Sequence, residues 1–168
     1  MNLIISDRDI NIVENRNTKY IDLSKLKINN CIGCFGCWTK TPGKCVIRDD
    51  AVKVYPYIAK SDKVLYVSRV KYGGYDSVFK TMVERAIPVQ QAFIRIHNGE
   101  THHFQRNVKE KDATIIAYGN ISDGEKKVFE SLISRNAQNM NFKSYKILFI
   151  EDNMVETEVK KILEQWEK

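Results

Sequence analysis

The chain has 168 residues, of which 43% are hydrophobic and 29% charged, proportions that exclude a disordered chain and fit one globular domain spanning residues 1–168. No apolar run approaches the roughly 18 to 20 residues that cross a bilayer, and the opening Met1-Asn2-Leu3-Ile4-Ile5-Ser6 reads as a strand and not as a secretion signal, so a cytoplasmic protein without membrane partners is expected. The formal charge is +6, and residues 60–111 hold ten Lys or Arg against five Asp or Glu, a basic middle that suits an anionic small molecule or plain solvation; no lysine-arginine run or aromatic-basic repeat favours nucleic acid.

In chain order, Leu3–Ser6 and Lys19–Leu23 read as strands. The segment from about Asn29 to Asp49 fits no regular element and holds every cysteine, as an insertion before the next helix. That helix, Asp50 to about Ala59, carries Pro56 past its first turn, which predicts a kink or a late start. Lys63–Ser68 is a strand, followed by an apolar helical stripe of Val78, Phe79, Met82, Val83, Ala86 and Ile87. His97, His102 and His103 fall in a loop before the strand Thr114–Tyr118, where they suit a metal, a proton shuttle or a polar surface. Val128, Phe129, Leu132 and Ile133 make a second stripe, with Asp123 as its cap. The strand Tyr145–Ile150 follows, and then a third stripe of Val155, Val159, Ile162, Leu163 and Trp166, capped by Asn153. Continuously apolar strands alternating with helices predict a parallel sheet covered on both faces. Ligands then bind beyond the carboxyl ends of the strands, in the loops after Ser6, Ser68 and Tyr118.

Cys31, Cys34, Cys37 and Cys45 form C-x2-C-x2-C-x7-C. Disulfides are the weakest explanation, because a core of this size needs no staples in a reducing compartment. Zinc sites of four cysteines usually come as two separated CxxC knuckles. A repeated spacing of three with a distant fourth suits a short segment wrapped round a 4Fe–4S cube, with Gly33 and Gly36 letting backbone N–H groups approach the sulfides. Free thiols, buried or redox-reactive, remain open.

The stretch from Cys31 to Asp50, with its Gly43-Lys44-Cys45-Val46-Ile47-Arg48-Asp49-Asp50 ending, resembles the compact cysteine segment of iron–sulfur flavoproteins, in the NADPH-dependent FMN reductase branch of the flavodoxin-like fold. Ser68, Val70, Tyr72, Gly73, Lys80 and Arg85 match that family's loop and helix after the third strand, while Arg69, Lys71 and Glu84 depart from it. Tyr118-Gly119-Asn120 is similar to its loop after the fourth strand. The resemblance implies a doubly wound α/β sandwich with a five-stranded parallel sheet. It implies FMN against Ser68, Val70, Tyr72, Gly73, Tyr118, Gly119 and Asn120; the residues themselves add Arg8 and Arg69 as positive charges and Gly73-Gly74 as room for a planar ring, with Tyr72 or Tyr75 to stack on it. It also implies electron transfer to a 4Fe–4S cluster on the four cysteines, an NAD(P)H or ferredoxin partner, and a homo-oligomer.

One departure bears on FMN. Relatives bind its phosphate on a glycine-rich loop leading to a helix, but here Ser6-Asp7-Arg8-Asp9 follows the first strand and no glycine precedes Gly33. Residues 7–17 are too few for both that loop and a full helix, so the first crossover is shortened. The phosphate is then held by Arg8 or the basic middle segment, or flavin binding has been lost. In the latter case the fold serves binding, regulation or assembly.

Overall fold

The structure, a computed structural model, describes residues 1–12 and 14–167. Its strands are β1 (Asn2–Ser6), β2 (Thr18–Asp22), β3 (Lys63–Lys71), β4 (Gly74–Tyr75), β5 (Gln90–His97), β6 (Glu100–Gln105), β7 (Lys111–Tyr118) and β8 (Phe142–Ile150). Five of them form one sheet in the order β2-β1-β3-β7-β8, and every neighbouring pair in it is parallel. The helices are α1 (Gly36–Thr39), α2 (Ala51–Lys60), α3 (Ser77–Glu84), α4 (Asp123–Asn139) and α5 (Val155–Trp166). This is the flavodoxin-like order, in which the chain reverses direction across the sheet between β1 and β3.

Apolar side chains alternate between the two faces of the central strands. Leu3, Ile5, Val64, Tyr66, Ile115 and Ala117 face one layer with α2, α3 and α4, whereas Ile4, Leu65, Val67 and Ile116 face the other with Val155, Val159 and Ile162 of α5. Burial on both sides is why these strands read as unbroken apolar runs. The second layer is thin. Among the described residues 7–17 no helix forms, and the crossover instead drops Ile10, 3% exposed, onto the sheet beside α5. The Tyr20 hydroxyl fixes it by accepting from the Ile10 N–H at 3.1 Å and donating to the Arg8 carbonyl at 3.2 Å.

Several sequence expectations need correction. α2 starts at Ala51, without a late start, and carries Pro56 inside it. α4 is capped by Ser122, not Asp123, because Ser122 and Glu125 form a reciprocal capping box. Asn153 lies within a short 3-10 turn, Asp152–Met154, and does not cap α5. Ala86 and Ile87 lie beyond the end of α3. The three histidines sit on strands β5 and β6, an antiparallel hairpin, rather than in a loop. No helix of the described residues is long and apolar enough to cross a membrane.

Candidate functional site

The loops at the carboxyl ends of β1, β3, β7 and β8 meet where the strand order reverses, and Asp7 fills the centre. Its carboxylate accepts from the Arg69 N–H at 2.7 Å, the Ser68 hydroxyl at 3.2 Å and the Tyr118 hydroxyl at 2.8 Å. Burial pushes the Asp7 carboxyl above the usual carboxylate range, against the lowering pull of these donors. Ser68 is fully buried by this network, and Tyr118 is 3% exposed.

Arg8 and Arg69 lie over the Tyr118 ring, with guanidinium carbons 5.3 and 5.0 Å from its centroid. Both bind the carboxylate of Asp152, Arg8 at one oxygen and Arg69 at the other. These hydrogen bonds, Arg8's first, hold Asp152 below its usual range. Beside the bridge lies a cleft of about 410 Å³ lined by Arg69, Gly119, Asn120, Glu151, Asp152 and Asn153. Arg8, Ser68, Arg69, Tyr118, Gly119 and Asn120 are therefore brought together. Asp7 and Asp152, which complete the arrangement, were not singled out as site residues, since a carboxylate reads as repelling phosphate and the Arg8–Asp152 pair spans 144 positions.

The rest of the proposed flavin loop folds as a hairpin. β3 continues to Lys71 and pairs back on β4, with Val70 opposite Tyr75 and Lys71 opposite Gly74. Tyr72 and Gly73 make the turn at φ +53° and +72°, the two positive values of a type I′ turn. Hydrogen bonds from Ser122 hold Glu125 low at the start of α4, and the turn packs on that helix at Val128. Gly73 is needed for this packing, because a Cβ there would stand 2.7 Å from Val128. Val70 and Tyr75 point into the core; Tyr75 stacks on Phe79 at 4.8 Å and is not free to stack on a ring. Tyr72 is 96% exposed.

The cysteine segment is cinched at its base by Arg85, the residue after α3, which is 1% exposed. Its guanidinium donates to the Asn29 carbonyl at 2.6 Å, to both Asp49 oxygens at 2.7 and 2.9 Å, and to Cys45 Sγ at 3.4 Å. Burial would raise Asp49, but hydrogen bonds from Arg85 and Asn29 hold it at about 2. Trp38 carries the segment onto the hairpin, donating to the Gln90 carbonyl at 3.1 Å and packing 4.6 Å from the His103 ring. Burial raises the Cys37 thiol, and the nearby Cys45, Cys31 and Cys34 raise it further. Four thiols on one short segment, with Cys45 against the buried Arg85 guanidinium, supply the donor set of a four-thiolate group by chemistry. Their arrangement is nevertheless open: among the described residues no three His, Cys, Asp or Glu side chains gather closely enough to hold a metal ion. The expected convergence of all four sulfurs is thus not met, with Cys34 exposed between Gly33 and Phe35, both at positive φ. The histidines form no such group either; His102 lies between Asn139 at 3.1 Å and Glu100 at 3.0 Å.

No protein-family model matches the chain. An iron–sulfur flavoprotein of Methanocaldococcus jannaschii is 33% identical over 76 residues, 45% of this chain and 38% of that protein. A second from the same organism is 33% identical over 67 residues, 40% of this chain and 33% of the relative. The chain thus spans well under half the length of the curated relatives it matches. Among solved structures, an FMN-dependent NADH-azoreductase of Bacillus anthracis in complex with FMN superposes with TM-score 0.58 at 11% identity, covering 98% of this chain and 95% of that one. The azoreductase AzrA gives TM-score 0.60 at 10% identity, over 89% and 86%. The chain therefore has the flavodoxin-like fold of these reductases and, over the matched stretch, is similar in sequence to iron–sulfur flavoproteins.

Proposed function

We propose that this single flavodoxin-like domain is a flavin-dependent redox protein that binds FMN at the carboxyl edge of the sheet and a 4Fe–4S cluster on Cys31, Cys34, Cys37 and Cys45. When bound, the flavin accepts electron pairs and the cluster passes single electrons. The observation that carries the reading is α3. It begins beside the 68–74 turn and ends at Arg85, which grips both flanks of the cysteine segment. One helix of eight residues, about 12 Å long, thus spaces the two sites. At the edge, Arg8 and Arg69 supply positive charge, Gly119 and Asn120 line the cleft, and Tyr72 offers a free aromatic face. NAD(P)H or a ferredoxin would serve as electron partner. The exposed apolar residues of β5 and β6 support a homo-oligomer.

A second reading is a cofactor-free module for binding, regulation or assembly, favoured by Asp7, which fills the reversal point where relatives of this fold hold a ligand. The absorption spectrum of protein purified without oxygen, with iron and acid-labile sulfide assays, separates the readings. Flavin bands with a broad cluster band support the first. Flavin alone leaves a reductase with free cysteines, and neither leaves the module. Fewer than about one iron per chain after reconstitution sinks the cluster, since a cube needs four.

A further inference from the structure

Arg8, in the bend after β1, and Arg69, near the end of β3, converge onto one point. Each guanidinium rests on the same Tyr118 ring, and Tyr118 is itself pinned through its hydroxyl to Asp7. The Arg8 main chain is fixed as well, its N–H donating to the Ser6 hydroxyl at 3.2 Å and its carbonyl accepting from Tyr20. The two positive charges are therefore held in place by contacts that do not involve their anion. What they bind is a carboxylate from another loop: Asp152, in the turn between β8 and α5, divides its two oxygens between them. Among the described residues the Asp152 carboxylate has no other hydrogen-bond partner, and its side chain is 45% exposed at the wall of the 410 Å³ cleft. Of the other carboxyls there, Asp7 is turned inward onto Ser68 and Tyr118, and Glu151 lines the cleft.

Guanidinium forks match carboxylate and phosphate oxygens by the same geometry, and a phosphate offers more oxygens and more charge. We infer that the Arg8–Arg69 pair is a binding site for a phosphate monoester, and that Asp152 is a built-in anion that occupies it until such a ligand takes its place. The site lies at the strand-order reversal, where the fold binds its ligands. It would give the chain a phosphate anchor made of side chains, in place of the glycine loop that residues 7–17 lack. The cleft beside it has room for the sugar or ribityl carbon next to the phosphate. Only the identification of the ester as FMN rests on the flavin reading; the phosphate site itself does not.

Titration calorimetry with inorganic phosphate, FMN and riboflavin tests both parts. Asp152→Asn should bind inorganic phosphate about tenfold more tightly than the unaltered protein, the size expected for freeing one charge-assisted hydrogen-bonded pair. Adding Arg8→Gln should cancel the gain. Asp152→Ser gives the same comparison without an amide oxygen that could re-form the bridge, and circular dichroism checks folding. FMN affinity should rise with Asp152→Asn while riboflavin affinity does not. Equal phosphate affinity with and without Asp152, a gain that survives loss of both arginines, or an equal gain for riboflavin overturns the proposal. If neither flavin binds any variant while the phosphate result holds, the flavin reading falls and the phosphate site stands.

Discussion

Removing the Arg85 guanidinium leaves Asp49, whose side chain is 8% exposed, as a buried carboxylate without its counter-charge. Breaking such a pair from one side costs about 3–5 kcal/mol, so Arg85→Ala should lose that much stability in urea unfolding. Arg85→Lys keeps the charge but not the two-pronged contact and should recover only part of it; full recovery would refute the geometry. Gly73 and Gly74 look alike in sequence and differ in the fold. Gly73→Ala puts a Cβ 2.7 Å from Val128 at φ +72°, whereas at Gly74 the nearest atom is the Lys71 carbonyl oxygen at 3.7 Å. Gly73→Ala should therefore cost at least about 1 kcal/mol and Gly74→Ala less than about 0.5 kcal/mol, by thermal or urea unfolding. The Gly-Gly pair read from sequence as room for a planar ring, and its packing on α4 could not be read because Val128 is distant in the chain. For the same reason flavin occupancy is better tested with Tyr72→Ala than with a change at Gly73.

The five sheet strands were legible because burial on both faces leaves continuous apolar runs such as Leu3-Ile4-Ile5. β5 and β6 were not, since their apolar residues lie outside the core and give no period against it. Phe93, Ile94 and Ile96 are 71%, 61% and 75% exposed, and a two-stranded ribbon is marginal by itself. If this hairpin is the assembly surface, Phe93→Ser with Ile96→Ser should lower the apparent mass in size-exclusion chromatography. An assembly of unchanged mass would exclude the hairpin. The cysteine spacing was legible as a motif. The clamp on it was not, because Asn29, Asp49 and Arg85 become neighbours only when α3 packs against the segment.

At the scale of the molecule, burial sets the alkaline stability profile. Lys111, 1% exposed, donates to the carbonyls of Lys109 and of Met140 at the end of α4, and burial lowers its amine to about 8. Between pH 8 and about 10 the unfolded chain then binds the proton more readily than the folded one, so this group's contribution to stability rises with pH. Burial raises Tyr20 to about 12 and raises Tyr66, Tyr75 and Tyr118 as well. Above about pH 10 the unfolded chain loses those protons first, and stability falls. Unfolding midpoints measured from pH 7 to 11 should show the rise in the unaltered protein and not in Lys111→Met; parallel curves would refute the assignment. The thin second layer carries a further consequence, for the order in which the chain is made. Ile4, Leu65, Val67 and Ile116 are all synthesised before α5, the helix that covers most of them and that comes after every strand. Ile10 of the crossover covers only part of that face, and the rest stays bare until residues 155–166 emerge, so this layer closes last as the chain is made.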